Sequence, residues 1–415
     1  MIIYPSRITF TPELCNMSPV SLLPILPIIL VALVTMKLTG AALGIRPAEG
    51  RFASIDGLRG YMAFFVFLHH SCLWFFATHG YGWRPPPSNV YSQFGSTSVA
   101  VFFMITSFLF FSRLLQARNG DLDWLKLYVS RGLRIMPLYL FALFIVLTIV
   151  AVLSHFTLHE SPGKVIVEIL QWLAFIKADI NGISPTWLVI AGVIWSLPYE
   201  WLFYFALPFL GLLLSVRVSL LVWLFAMAGF IFFLYVILGF YQSAGGLQRM
   251  VPFVGGIAAA FLARVPRIRN LVSRPFASIC VALCLVLGVG LFKSFDEPLS
   301  FLLVTLGFIG IACGNSLFGI LTHSLSRTLG QVSYSVYLLH GILLFFTFNW
   351  ILGFQWAGRL SPLEHWGVII LCAIGVVTVC SLTYRLIERP AMKSVPFIIK
   401  KFEKQNVKSV VLKNV

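Results

Sequence analysis

The chain has 415 residues, of which 59% are apolar and 11% charged, with a net charge of +16 and a mean hydropathy of +0.93. A water-soluble globular domain is excluded, because such domains carry about a quarter charged residues. Six of the seven cysteines (Cys72, Cys280, Cys284, Cys313, Cys372, Cys380) fall in apolar segments without metal-ligand spacing, so they read as small core residues and no metal site is expected.

Apolar runs of spanning length occur at about 20 to 44, 56 to 78, 96 to 116, 133 to 154, 194 to 215, 218 to 240, 249 to 264, 275 to 294, 298 to 321, 332 to 354 and 366 to 387. The expected fold is therefore an all-α polytopic membrane protein of about ten core transmembrane helices plus one extra N-terminal helix. The first run ends in Ala41 and Ala42, as a cleavable leader would. Cleavage there would leave Arg46 to Arg59 outside and invert every later loop, so a retained helix with a translocated N-terminus is expected; Met17 is an alternative start. The run 249 to 264 is short and carries Gly255 and Gly256, and 164 to 178 mixes Lys164, Glu168 and Lys177 with apolar residues in the manner of an interfacial or re-entrant helix. The division expected is an extra segment 1–45, a membrane domain 46–392 and a basic cytoplasmic tail 393–415.

Basic residues set the orientation. With the loop before residue 56 in the cytosol, 22 of the 30 Lys and Arg fall on the cytoplasmic side, including Arg46, Arg51, the group Arg113 to Arg134, the group Arg264 to Arg274, and the tail from Arg385. The segments 79 to 90, 293 to 298 and 355 to 365 are poor in them, which gives an inner-membrane protein with a cytoplasmic C-terminus. The positive balance is thus topogenic and no nucleic-acid surface is expected. The tail lysines Lys400, Lys401, Lys404, Lys408 and Lys413 read first as a solvated stop signal, with contact to anionic membrane lipid as the alternative.

Within the second run Arg59 and His70 are eleven positions apart. That is close to three helical turns, so both side chains share a face, roughly 16 Å apart along the axis. Ionisable residues at this depth are costly and mark function. His69 is turned by about 100° from His70, which leaves His70 as the partner of Arg59. Glu200, within Trp195 to Tyr204, reads as the one acid set deep in apolar surroundings, fit to orient an imidazole or to tie helices together. Asp56 precedes Gly57, Arg59 and Gly60, where capping a helix is its expected role. Arg131 and Arg134, three apart, share a helix face and form with Arg59 a clamp for a polyanion, beyond the ordinary anchoring that basic residues give at a membrane boundary.

In chain order these elements resemble the membrane acyltransferase-3 family. The matches are Ile55-Asp56-Gly57-Leu58-Arg59-Gly60 running to His70 with an Arg-x10-His spacing, Val101 to Leu109, and Arg131-x2-Arg134 with Pro137 and Tyr139. They continue with Trp195-Ser196-Leu197-x2-Glu200-x2-Phe203-Tyr204, Gly330-x2-Ser333-Tyr334-Ser335-x-Tyr337-Leu338-Leu339-His340, and Tyr384 to Pro390. The chain departs from the family's pattern at Ala100, where an acid is frequent, at Thr106 and Ser107, where Ser-Gly is, and at Trp201, where many members have a second acid.

The resemblance implies an O-acyltransferase that takes an acyl group, usually acetyl from cytosolic acetyl-CoA, to a hydroxyl of an envelope glycan such as O-antigen or exopolysaccharide. It implies His70 as the catalytic base with Glu200 in support, and Arg59, Arg131 and Arg134 on the donor's phosphates. Asp56, Tyr139, Trp195, Tyr334 and His340 stand as candidate site-lining residues, with Ser333 as a further hydroxyl. Some relatives carry a fused extracytoplasmic hydrolase-like domain; here about 25 residues follow Pro390, so the chain is expected to finish the transfer itself or to use a separate extracytoplasmic partner. Two other classes fit buried Arg, His and Glu: a transporter or flippase of a lipid-linked or anionic substrate, although no inverted repeat is visible, and a silent scaffold.

Overall fold

Ser, Pro and Asp residues at the edges of the apolar runs decide where the helices begin. Ser88 accepts a hydrogen bond from the Tyr91 amide at 3.4 Å and Asp123 from the Lys126 amide at 2.8 Å, while Ser361 and Glu364 form a reciprocal capping box. In the computed structural model, which describes residues 18–47, 50, 52–118, 120–242 and 245–403, the helices therefore extend past the apolar runs at these ends. They are α1 (Ile25–Leu43), α2 (Ala53–Phe76), α3 (Asn89–Gln116), α4 (Trp124–Leu153), α5 (Pro162–Leu173), α6 (Leu197–Leu213), α7 (Leu220–Phe240), α8 (Val251–Leu262), α9 (Pro266–Val272), α10 (Pro275–Gly290), α11 (Pro298–Ala312), α12 (Ser324–Gln331), α13 (Ser333–Phe346), α14 (Phe354–Ala357), α15 (Pro362–Thr383) and α16 (Arg389–Lys393).

No strand occurs among the described residues; Asp121 and Arg217, and Ile180 and Ile183, form only isolated bridges. The chain is an all-α polytopic membrane protein; among the described residues eight helical stretches are long and apolar enough to span a bilayer. Three of the apolar runs give shorter pieces. The run 249 to 264 becomes α8, bent by 104° from α9, while α10 and α11 have 16 and 15 residues. The run 298 to 321 stops at Ala312 because Gly314 turns the chain at φ +117°, a left-handed conformation suited to glycine. Arg51, Met17 and the tail beyond residue 403 lie outside the described residues.

Burial separates a central layer from a lipid-facing one. In the most apolar window of α3, 83% of residues are buried by the rest of the protein, against 22% in α7, whose Leu221, Phe225, Ile231 and Tyr235 point outward. α2 packs on α3, α12 and α13, and α3 also packs on α8. α1 lies along α15, where Thr39 Oγ and Ser381 Oγ are 3.2 Å apart. Between α5 and α6 the chain makes two short 3₁₀ turns, Thr186–Ile190 and Val193–Ser196; Gly341 of α13 lets the first approach so closely that a Cβ there would lie 2.5 Å from the Ile190 carbonyl carbon. This segment delivers α6 to the helix core, so that Glu200 sits in its first turn.

Candidate active site

Close packing fixes the start of α2. A Cβ on Gly330 would lie 1.8 Å from the Asp56 carbonyl oxygen, and one on Gly57 2.0 Å from that of Leu321, so only hydrogen fits at either position. Asp56 is thereby held one turn inside α2. The backbone of Phe52 occupies the capping position and makes no side-chain cap, which corrects the capping role expected of Asp56. Its carboxylate instead lies within electrostatic range of Arg59 and Arg327.

A cavity of about 90 Å³ opens beside Arg59, between α2, α3, α4, α6 and α13. Arg131 and Arg134 enter it from α4, Thr106 from α3, Glu200 and Tyr204 from α6, and Ser333, Tyr334 and Tyr337 from α13. Three guanidiniums thus face one acid. Glu200 accepts a hydrogen bond from Tyr204 at 3.3 Å and lies within reach of Thr106, while Tyr204 also meets Arg131. Arg131 rests 5.1 Å over the Phe110 ring, and its buried Nε has no hydrogen-bond partner. A buried guanidinium N–H left unpaired costs free energy that an anionic ligand would recover.

Arg134 is held differently. Its Nη1 lies 3.5 Å from Glu388 Oε2 and 3.2 Å from Met392 Sδ, and Glu388 also accepts from Ser335. Glu388 is 1% exposed, whereas Glu200 is only partly buried, so Glu200 is not the one deeply set acid. The reason is local. Arg385 and Arg389 flank Glu388 and make the segment read as a polar helix end, but Tyr384–Glu388 forms a π turn, whose wider pitch alters which side chains face inward. The signal available in sequence was the Tyr384 to Pro390 match itself.

His70 stands three turns beyond Arg59 on α2, as its spacing implies. Its Nδ1 is 2.9 Å from Nε2 of His340 and 3.1 Å from the Val66 carbonyl, and His340 Nδ1 is 2.8 Å from the Val336 carbonyl. A carbonyl only accepts, so in neutral His340 the proton sits on Nδ1 and the lone pair on Nε2 accepts from His70 Nδ1–H. That network leaves the lone pair of His70 on Nε2. His69, turned away, puts Nδ1 2.7 Å from the Tyr91 carbonyl and packs against Gly95. Trp83 stacks on the His70 ring with centroids 5.9 Å apart.

Neither histidine lines the arginine cavity. Its wall on α13 ends at Tyr337, and His340 lies one turn further along the same helix, so α2 and α13 run in parallel roles from the basic end to the imidazole pair. Three more of the expected lining residues, Asp56, Tyr139 and Trp195, sit outside that cavity. Tyr139 is fully buried and its hydroxyl donates to the Trp172 carbonyl. Trp195 lines a second cavity, of about 330 Å³, with Phe103 as the wall shared by both. Tyr334 does line the first, with its hydroxyl donating to the Ile135 carbonyl at 2.9 Å.

The sequence profile described as Acyltransferase domain, that of the acyltransferase-3 family, matches residues 52–385. The chain is also 25% identical over 332 residues to Nodulation protein 10 of Rhizobium leguminosarum bv. viciae, covering 72% of this chain and 83% of that protein. No solved structure matches.

Proposed function

Because the chain belongs to the acyltransferase-3 family and is a membrane acyltransferase, we propose that it moves an acetyl group from cytosolic acetyl-CoA to a hydroxyl of a cell-envelope polysaccharide such as O-antigen or exopolysaccharide. The observation that carries this reading is the cavity with three arginines against one glutamate, joined along α2 and α13 to the His70–His340 pair. In this reading the face bearing the arginines is cytosolic, as the basic loops imply, and the protein resides in the inner membrane.

The donor supplies an activated thioester and a phosphorylated handle. Arg59, Arg131 and Arg134 fit the handle: they are clustered, one has an unpaired N–H, and their charge acts more strongly in a dry site than in water. Glu200 keeps Tyr204 and, through it, Arg131 in place. At the other end an alcohol is a weak nucleophile near neutral pH and needs a base within hydrogen-bond reach. His70 Nε2 takes the acceptor hydroxyl's proton as its oxygen attacks the thioester carbonyl, and passes that proton to the CoA thiolate released when the C–S bond breaks; His340 fixes the ring and the tautomer by accepting from Nδ1. The charge that develops on His70 is shared with the Val66 carbonyl and His340.

Detergent-permeabilised membranes, in which both faces are accessible, given radiolabelled acetyl-CoA and the cells' own envelope glycan test this. Label becomes alkali-labile on glycan with the intact protein and is lost with His70→Ala; retention of normal labelling by His70→Ala removes the histidine from the mechanism.

A further inference from the structure

The second cavity has a composition unlike the first. It opens at the face where α3, α8 and α11 begin, and it is lined by Ser96, Phe103, Trp195, Gln248, Arg249 and Asp296 among others. Its volume of about 330 Å³ falls within the range of ligand pockets, roughly 300–1,000 Å³. Among the described residues, Arg249 and Asp296 are its charged lining groups, of opposite sign and within electrostatic range of each other, so this lining carries no net charge. The Arg249 guanidinium lies 4.1 Å over the Trp195 ring, which holds that ring face-on to a cation and leaves the indole edge and the Phe103, Phe295 and Phe301 rings as apolar walls.

Such a lining suits a neutral, hydroxyl-rich ligand. The Asp296 carboxylate and the Gln248 amide oxygen accept, the Arg249 guanidinium and the Gln248 amide N–H donate, the Ser96 hydroxyl, which itself donates to Gln93, accepts, and the aromatic rings give the apolar wall that the C–H groups of a sugar need. A polyanion is disfavoured because Asp296 faces it, and an apolar ligand because it would take water from the polar side chains of the lining without replacing it. Trp195 and Ser196 are adjacent in the chain, yet one lines this cavity and the other lines the arginine cavity, and Phe103, 6.2 Å from Trp195 between ring centroids, lies between the two.

We propose that this cavity seats the sugar ring of the acceptor, entering from the face opposite the arginines, with Trp195, Arg249 and Asp296 as its specificity residues. The assignment rests on the acetyl-transfer reading above. It is tested in membranes with radiolabelled acetyl-CoA and, as acceptor, envelope glycan stripped of its esters by mild alkali, varying each substrate in turn. Trp195→Ala and Asp296→Asn are expected to raise the half-saturating glycan concentration about tenfold while the acetyl-CoA KM stays within about twofold. Trp195→Phe, which keeps a ring, should restore most of the loss, and Ser96→Trp, which fills the space, should reproduce it. Unchanged glycan dependence in Trp195→Ala, Asp296→Asn and Ser96→Trp, with the intact protein active, overturns the assignment alone. No label on glycan from the intact protein overturns the acetyl-transfer reading and this assignment with it.

Discussion

The two cavities share the Phe103 wall yet face opposite ends of the bundle and differ in charge. The arginine cavity sets three cations against one acid in about 90 Å³, whereas the Trp195 cavity balances one cation with one acid in about 330 Å³. A surplus of guanidinium in a confined space selects an anion, and a balanced, aromatic-walled space selects a neutral polar ring. On the proposed reading, a single bundle keeps a phosphorylated donor and a glycan acceptor apart by electrostatics, and the histidine pair proposed for the chemistry lines neither cavity.

The sharpest way to break this division is at the histidines. His70→Ala is expected to lower transfer by about 10²–10⁴-fold, the usual worth of a general base, with both substrates still bound. Retained donor binding can be checked by protection of the protein from heat or protease by acetyl-CoA. Next comes the ion pair behind the arginine cavity. Arg134→Ala leaves Glu388 buried without its cation, and a loss of about 3–5 kcal/mol in stability is expected, measured as a lower unfolding temperature in detergent. Arg134→Ala combined with Glu388→Gln should recover much of that stability without recovering the donor KM, which separates holding the fold from holding the donor.

A smaller effect is expected at His340. If it orients His70 rather than touching substrate, His340→Ala lowers kcat by about tenfold or more with both KM values unchanged, and His340→Gln, which retains an acceptor, recovers part of it. An equal rise in KM for the glycan would make His340 a contact residue instead. Arg131→Lys keeps the charge but loses the planar fork, so the acetyl-CoA KM should rise several-fold while the glycan dependence is untouched. Loss of discrimination between donor and acceptor in that variant would erase the contrast between the cavities.

How much of the site was legible depended on distance along the chain. Arg59 and His70 lie on one helix, and Arg131 and Arg134 on another, so helical period alone puts each pair on one face, and the structure keeps both arrangements. The His70–His340 contact joins positions 270 apart in sequence, for which no period exists. Asp56 was misplaced by one turn because close packing against Gly330, not a local capping signal, sets the start of α2. Helix ends drifted where Ser, Asp and Pro begin a helix before its apolar stretch does, as at Asn89 and Trp124.

By itself the sequence determined the all-α membrane class, because unbroken apolar runs of spanning length can satisfy their backbones in lipid only as helices. It also marked Arg59, His70 and Glu200 as candidates for chemistry, since charge in an apolar run is costly. Only the tertiary structure decided which of them meet. The π turn that brings Glu388 to Arg134, the 3₁₀ turns that deliver Glu200 to the arginines, and the separation of Trp195 from Ser196 into different cavities all depend on helices crossing at depth. Crossing geometry is fixed by close contacts between segments far apart in the chain, such as Gly57 on Leu321, and no local pattern encodes it.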